Sequence, residues 1–507
     1  MVRRVWREDF RIIGYYTGLI TIGVGLLMLV PMVTSLVFRE WASAMDFGLS
    51  IILTLLVGYL LALVSRTRNT PGLTHAMVIA AASWLVAMVL SAVPYTLSGH
   101  SLSLLDACFD TMSGYTTTGL FLLQDLDHVS QGLNMWRHLL TYVGGQGIVV
   151  LALTFLIGST GGGYKLMVGE GKDEKLVPNV RHIAVQIWRI SLIYLVIGTG
   201  VLGILAITGG MKPQLAFFHG AYIFMSAWST GGFAPYSQNM LYYHSLPMET
   251  VSMVFMVLGS FNFALHYAVW TGNRREILHN VEIVSFTITV LTTFSLTCVA
   301  LMQRGVYPNA VALFRRGFFQ LISAHTTTGQ SSIYARTFVR EWGPLGMLAL
   351  TVAMAIGASA ASTGGGFKGM RMGIIFKGIV TDIRKLLSPE RAIVVGHYHH
   401  IRDNTLTDAT VKSAAVIVVL YVLIYVVGAV VGMVYGYPMA DAFFESVSAG
   451  SNTGLSCGVT QATMPTLLKI VYIVEMWMGR LEFLSVFTLF GFIAASFRSL
   501  RRQKVAA

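Results

Sequence analysis

The stretch Ser113-Gly-Tyr-Thr-Thr-Thr-Gly119 occurs in four related forms along this chain of 507 residues. The other three copies are Ser226-Ala-Trp-Ser-Thr-Gly-Gly232, Ser323-Ala-His-Thr-Thr-Thr-Gly329 and Ser448-Ala-Gly-Ser-Asn-Thr-Gly454. Each copy follows an apolar stretch that is too short to cross a bilayer and precedes one that is long enough. Because glycine adopts backbone angles that other residues resist, four such segments can surround one axis with their carbonyl oxygens turned inward. The repeat therefore predicts a cation-binding ring supplied by one chain.

The composition is that of a polytopic membrane protein. Hydrophobic residues make up 55% of the chain and charged residues 11%, whereas about a quarter of a soluble domain is charged. The first apolar run, 12–38, is too long for a signal-peptide core, so we expect it to be a retained helix. The three cysteines, Cys108, Cys298 and Cys457, have no paired spacing. They predict neither a disulfide framework nor a metal site.

Apolar windows of about 20 residues predict ten bilayer-spanning helices. These windows cover 12–38, 44–65, 73–98, 134–157, 182–209, 248–271, 279–303, 343–376, 410–436 and 464–497. Four shorter apolar stretches, each about half a membrane long, cover 101–113, 213–226, 308–323 and 438–448. Pro213, Pro308 and Pro438 suit the first position of a helix, and Ser101 is an N-cap candidate.

We therefore expect an all-α polytopic membrane fold. It contains four pseudo-repeats of helix, pore half-helix, filter loop and helix around one pore, preceded by two extra N-terminal helices. The predicted units are the N-terminal extension 1–72 and the pore repeats 73–180, 181–278, 279–409 and 410–507.

The distribution of charge orients this arrangement. The net charge is +12, and alternating the helices places about twenty-five Lys and Arg on one side against about nine on the other. The basic side includes both ends of the chain, so both termini are expected in the cytoplasm. Since the basic excess is explained by orientation, no nucleic-acid partner is predicted.

These motifs and their order resemble the superfamily of K⁺ transporters called Trk, Ktr and HKT, and the two extra N-terminal helices resemble its TrkH type. The resemblance covers nearly the whole chain. It implies K⁺ uptake, sometimes with Na⁺, through a multi-pass protein of the prokaryotic inner membrane. It also implies a homodimer, a cytosolic TrkA-type regulatory ring that binds NAD(H) or ATP/ADP, and no cofactor in this chain.

The resemblance assigns the K⁺ selectivity filter to four residues of each copy. They are Thr116, Thr117, Thr118 and Gly119; Ser229, Thr230, Gly231 and Gly232; Thr326, Thr327, Thr328 and Gly329; and Ser451, Asn452, Thr453 and Gly454. In the family, a glycine at the end of every copy favours K⁺ over Na⁺. Because the second and fourth copies diverge, the ring is asymmetric and strict selectivity is not expected.

The run Gly357-Ala-Ser-Ala-Ala-Ser-Thr-Gly-Gly-Gly366 is poor helix material in the middle of a predicted span. It resembles the family's intramembrane gating loop. The predicted gating residues are Gly357, Ser359, Ser362, Thr363, Gly364, Gly365 and Gly366. The alternative is a close helix-packing face, which small residues also permit. Lys368 and Arg371 follow the run and could anchor it.

Arg480 interrupts an apolar helix, where an arginine costs several kcal/mol unless it faces water or a partner. The segment Met478-Gly-Arg-Leu-Glu482 resembles the family signature whose arginine lies in the pore below the filter. A positive charge there would repel K⁺. The alternative is a structural arginine that binds carbonyls at a helix end.

Three other signals leave alternatives open. Outer-side acids such as Asp106, Asp110 and Glu445 could concentrate cations or cap helices. The cluster His397-Tyr-His-His400 contains no acidic or cysteine residue, so a solvated surface is favoured over a metal or pH-sensing site. The glycine runs 161–163 and 169–171 lack a phosphate-loop ending.

Two other functions fit the same four-repeat pattern. The first is the K⁺-binding subunit of an ATP-driven Kdp-type pump, and the second is a proton-coupled cation symporter. No enzymatic constellation is present, so the chain is not expected to be an enzyme.

Overall fold

The computed structural model describes residues 7–123, 125–152, 163–170, 180–389 and 391–506. Within these residues the chain is mostly helical, with one antiparallel hairpin of strands β1 (Gly396–His400) and β2 (Arg402–Leu406). The helices are α1 Arg7–Leu27, α2 Leu29–Val37, α3 Trp41–Val64, α4 Leu73–Ser91, α5 Val93–Leu97, α6 Leu104–Tyr115, α7 Gln131–Gln146, α8 Ile148–Ala152, α9 Gly163–Gly169, α10 Val180–Thr208, α11 Pro213–Trp228, α12 Leu246–Ser260, α13 Phe263–Trp270, α14 Glu276–His279, α15 Val281–Gln303, α16 Ala310–Ala312, α17 Phe319–His325, α18 Ala335–Ile356, α19 Gly369–Leu387, α20 Asp408–Val434, α21 Met439–Gly450, α22 Thr466–Arg480 and α23 Leu484–Ala506.

The described residues include six helical segments that are long and apolar enough to cross a membrane. They are Arg7–Val37, Trp41–Val64, Leu73–Leu97, Ile183–Thr208, Val281–Gln303 and Asp408–Val434. Two bent pairs, α12 with α13 and α22 with α23, raise the number to eight if each pair is one span. This architecture is that of a multi-pass membrane protein, and the count of ten stays a prediction.

The two remaining predicted spans explain that difference. The window 134–157 runs into residues 153–162, which lie outside the described residues, as do parts of the glycine runs 161–163 and 169–171. The window 343–376 contains a non-helical segment between the end of α18 and the start of α19. Neither window therefore forms one continuous described helix.

The first two long helices pack through glycine. A methyl group on Gly18 would lie 2.7 Å from the backbone nitrogen of Ala62, and one on Gly58 would lie 2.9 Å from that of Ile22. The backbones of α1 and α3 thus approach more closely than larger residues would permit. Close backbone contact of this kind holds helices together where water supplies no driving force.

Four short helices precede the repeated motif, and each ends at the third motif residue. They are α6, α11, α17 and α21, and a π-helical turn at Leu313–Phe318 joins α16 to α17. The predicted starts need correction. Ser103 caps α6 instead of Ser101, because its hydroxyl accepts the Asp106 N–H at 3.2 Å.

The prolines differ as well. Pro213 begins α11 as predicted. Pro438 is instead the N-cap of α21, and Pro308 lies before Asn309, whose side chain caps α16. Extended residues are the usual helix N-caps, so a proline can stand one or two positions ahead of the first turn.

In each of the four predicted repeats, the helix that follows the motif is broken. Helices α7 and α8 are separated at Gly147, and α18 and α19 at 357–368. The other two breaks bend the chain by 100° between α12 and α13 and by 112° between α22 and α23. The sequence analysis did not predict the breaks in the first, second and fourth repeats, since the pieces on both sides remain apolar.

Helix α20 has one face that is buried in the protein and one apolar face that is exposed. Tyr421 and Tyr425 are buried against the interior, whereas Val419 and Leu423 are 57% and 55% exposed. A helix that is apolar on its exposed face as well as its buried face is suited to hydrocarbon.

Candidate ion pathway

The four motifs close into a ring in chain order. A methyl group on Gly119 would lie 2.6 Å from the carbonyl oxygen of Gly231, and one on Gly232 would lie 2.5 Å from that of Thr328. In the same way Gly329 lies against the carbonyl of Thr453, and Gly454 lies against that of Thr118. Each terminal glycine therefore contacts the next copy, and the fourth contacts the first.

The four copies also share one backbone conformation. The fifth motif residue is left-handed in each: φ is 58° at Thr117, 52° at Thr230, 54° at Thr327 and 56° at Asn452. The terminal glycines have φ between 72° and 89°. In every copy the N–H of the sixth residue donates to the carbonyl of the first, as Thr118 does to Ser113 at 2.8 Å. Positive φ at two positions turns the chain sharply after the short helix.

The motif hydroxyls point back to the short helices. Those of Thr116, Ser229 and Thr326 donate to carbonyls four residues earlier, at 2.8, 2.6 and 2.7 Å. Thr116 also contacts the hydroxyl of Thr118 at 2.8 Å, and the third and fourth copies have the same pair. These bonds stabilise the motif segments on the side of the short helices.

Most of the carbonyls at the ring contacts accept no hydrogen bond from the described residues. Among the described residues, no hydrogen bond is donated to the carbonyls of Thr118, Thr328 and Thr453. Gly231 differs, since its carbonyl accepts the Phe233 N–H at 2.9 Å. The short helices also end at the ring, where the partial negative charge of their C-termini favours a cation. Three available acceptors and four helix ends suit cation binding.

In three copies, the residues that follow the motif are hydrogen-bonded to a polar side chain that lies three residues before the motif serine. Asp110 accepts the Leu122 N–H at 2.6 Å, and Glu445 accepts the Cys457 N–H at 2.9 Å. Gln320 is within 3.4 Å of the Ser332 nitrogen in the third copy. Sequence reasoning treated Asp110 and Glu445 as outer-side acids, but their equal spacing from the motif was the available signal.

The glycine-rich run lies directly against the ring and is not helical. Gly365 donates its N–H to the Thr327 hydroxyl at 2.8 Å, and the Thr230 and Thr363 hydroxyls are 3.2 Å apart. The Thr117 hydroxyl donates to the Thr363 carbonyl at 3.3 Å. A methyl group on Gly365 would meet Ser451 and Asn452. The run thus touches all four motifs, which a helix-packing face could not do.

The rest of the run is fixed at both ends. Gly357 and Gly366 have φ of 72° and 78° and pack against each other. The Ser359 N–H donates to the Ser260 carbonyl at 3.0 Å, and the Gly364 N–H donates to the Ser362 hydroxyl at 3.2 Å. Beyond the run, Lys368 donates to the Gly364 carbonyl, and Arg371 pairs with Glu482.

Arg480 joins this run to the first repeat. One guanidinium nitrogen donates to the Thr363 carbonyl at 2.5 Å, and the other donates to the Gly144 and Gly145 carbonyls at 2.7 and 2.9 Å. Those two carbonyls belong to the last turn of α7. Arg480 therefore binds carbonyls at a helix end, as the structural interpretation expects, and the same side chain also contacts the glycine-rich run; its role as a pore barrier stays a prediction.

Comparison with known proteins identifies the family. The TrkH family model, described as a cation transport protein, matches residues 43–499. The chain belongs to the TrkH family. An uncharacterized cation transporter of Methanocaldococcus jannaschii is 28% identical over 502 residues, which cover 99% of each chain. The Trk system potassium uptake protein TrkH of Salmonella typhimurium is 27% identical over 492 residues, 95% of this chain and 98% of that one.

The fold of this TrkH-family chain is similar to that of a solved structure. The crystal structure of the potassium transporter TrkH from Vibrio parahaemolyticus matches with a TM-score of 0.80 and 23% identity, covering 95% of this chain and 98% of the other. Within the described part of this TrkH-family chain, no group of three or more His, Cys, Asp or Glu side chains could hold a metal ion.

Proposed function

We propose that this chain is the pore-forming subunit of a potassium uptake system that conducts K⁺, and also Na⁺, into the cell. The observation that carries the proposal is the closed ring of four motifs with shared backbone angles. Backbone carbonyls around one axis can replace the water shell of a bare cation. Family membership and the potassium uptake named for the Salmonella relative support the choice of K⁺.

In the proposed mechanism, the sixteen predicted filter residues form the selectivity filter and the run 357–366 is the gate below it. The contacts between Thr363 and the motifs correspond to a closed gate, because they fill the space through which an ion would leave the ring. Arg480 adds a fixed positive charge at the same level and repels a cation. Opening requires the run to move and Arg480 to give up its bond to Thr363.

The proposed assembly follows the same reasoning. Ten spans in four repeats enclose the pore, within the inner membrane of a prokaryote and with both termini in the cytoplasm. Two copies form a homodimer, and a cytosolic TrkA-type ring that binds NAD(H) or ATP/ADP controls the gate. The asymmetry of Lys and Arg supports the orientation, and the assignment of the Salmonella and Escherichia coli relatives to a Trk system supports a further component.

Uptake of radioactive Rb⁺ into proteoliposomes, with Na⁺ as competitor, tests the filter. Gly454→Ser places a side chain at φ 87° against the Thr118 carbonyl, whereas Gly436→Ser places one at φ 86° with nothing within 4 Å. The two variants thus share backbone strain and differ in the ring contact. We expect Gly454→Ser to lower uptake about tenfold or to change the preference for K⁺ over Na⁺, and Gly436→Ser to behave as wild type.

The proposal would be wrong if Gly119→Ser, Gly232→Ser, Gly329→Ser and Gly454→Ser all kept wild-type uptake and selectivity. The assay also separates the alternatives. Uptake that requires a separate ATPase would favour the Kdp-type pump subunit, and uptake that requires a pH gradient would favour a proton-coupled symporter.

A further inference from the structure

The hairpin formed by β1 and β2 is bonded to α14, at the end of the second predicted repeat. The Ile401 N–H donates to Glu276 at 2.9 Å, and His399 Nε2 lies 3.0 Å from the other oxygen of that carboxylate. On its other side the hairpin meets α19, where Lys377 donates to the His397 carbonyl at 3.1 Å. The hairpin thus connects α14 with α19, the helix that follows the run 357–366.

A short polar relay leads from this contact toward the run. The Asn280 amide donates to Glu276 at 2.8 Å, and its oxygen accepts the Glu282 N–H at 3.0 Å. His400 Nδ1 lies 3.3 Å from that same Asn280 oxygen and 3.9 Å from a Glu282 carboxylate oxygen. A change in the position of the hairpin or in the charge of His400 would therefore act directly on Glu282.

The relay ends on the backbone of the run. Glu282 is 2% exposed, and its Oε1 accepts the Ala360 N–H at 2.6 Å. Ala360 is three residues before Thr363, whose hydroxyl contacts Thr230 of the ring. A hydrogen bond to a carboxylate is stronger than one between neutral groups, and its loss leaves the N–H of the half-buried Ala360 without this acceptor.

We propose that Glu282 is a positioning residue of the gating run, and that the hairpin 396–406 acts on the gate through it. The proposal rests on the function proposed above. A ligand or partner that moves the hairpin would then change the stability of the closed run by acting on the Glu276–Asn280–Glu282 relay, without touching the ring. The coupling is reciprocal, so opening the run would also loosen the hairpin.

The test uses the full chain, four single variants and the double variant Glu276→Ala with Glu282→Ala. Glu282→Ala removes the acceptor, Glu282→Gln keeps an acceptor oxygen without the charge, and Glu276→Ala releases the hairpin. Thr292→Ala is the control on the same helix, because its exposed hydroxyl contacts only its own helix. Size-exclusion profile and melting temperature verify that each variant is folded.

The first readout is amide hydrogen exchange over 357–366 in detergent, which needs no ion flux. We expect Glu282→Ala to speed exchange about tenfold, the factor set by losing one charge-assisted hydrogen bond. Glu282→Gln should restore most of the protection, and Thr292→Ala should match wild type. Exchange in Glu282→Ala equal to that of Thr292→Ala would overturn the positioning role.

The second readout is Rb⁺ uptake into proteoliposomes. We expect Glu276→Ala and Glu282→Ala each to raise basal uptake several-fold, and the double variant to raise it no further than Glu282→Ala does. Effects that multiply would show that the hairpin does not act through Glu282. Absence of uptake in every protein, wild type included, would contradict the proposed function, while the exchange result would still decide on Glu282.

Discussion

Arg480 is a buried charge whose guanidinium is held by backbone carbonyls. Its guanidinium satisfies two carbonyls in the last turn of α7 and one in the glycine-rich run. A buried arginine needs such partners, because an unpaired charge inside a membrane protein is costly. The same bonds fix the charge beside Thr363, a residue that contacts the motifs of the ring.

We expect Arg480→Ala to raise basal Rb⁺ uptake at equal protein level by about tenfold or more, since it removes both the positive charge and the bond to Thr363. Arg480→Lys is the matched control, because it keeps the charge and loses the paired donors. If uptake in Arg480→Ala stayed at or below the wild-type level, the barrier role would be refuted.

At the scale of elements, glycines let the second helix of a repeat press against its short helix. Gly144 lies against the Tyr115 carbonyl, Gly259 against that of Trp228, and Gly479 against that of Gly450. In each case a Cβ atom would overlap the carbonyl that ends the short helix. The close approach sets the position from which the broken helix turns away.

Gly259→Ala should therefore destabilise the folded protein by about 1–3 kcal/mol, the usual cost of overpacking. Gly200→Ala is the control: it also lies in a helix but would find nothing within 4 Å, so it should be neutral or stabilising by up to about 1 kcal/mol. Thermal unfolding of the purified proteins in detergent measures both. Equal melting temperatures would contradict the packing argument.

The hairpin should respond to pH through His399. Hydrogen bonds to Asp403 and to Glu276 raise the pKa of His399 above its usual 6.5. Because the folded pKa is the higher one, this contribution to docking is complete below about pH 6.5 and is lost as the pH rises through the raised value. The two carboxylates belong to β2 and α14, on opposite sides of the imidazole.

A spin label at Thr405→Cys, with the three native cysteines replaced, should become more mobile between about pH 6 and about pH 9. The midpoint should lie above 6.5, and His399→Gln should remove the transition. Mobility that is independent of pH in the protein with His399 would contradict this account.

At the scale of the whole molecule, the distribution of Lys and Arg predicts a single orientation. The four short helices lie on the predicted outer side, and the hairpin and the loop that contains Arg66 and Arg68 lie on the basic side. In a background without native cysteines, a membrane-impermeant maleimide applied to intact cells should label Lys212→Cys and should not label Thr70→Cys until the cells are opened. The reverse pattern would invert the proposed topology.

The sequence predicted the motifs, the short helices and the irregular run well, because each depends on local composition. The partners of these residues could not be predicted in the same way. Arg480 binds residues 117, 335 and 336 positions away, and no local pattern encodes such distances. The segment 397–400 contains no acidic residue, yet folding brings Glu276 to within 3.0 Å of His399.

The cyclic contact of four unequal motifs within one polypeptide has an evolutionary consequence. In a channel built from four identical subunits, every mutation changes all four pore segments at once. Here a mutation in Gly231 or Asn452 changes the sequence of one motif only, although each residue also contacts the first copy. Each motif can therefore diverge separately, and in the proposed filter the ion preference would change through one motif at a time.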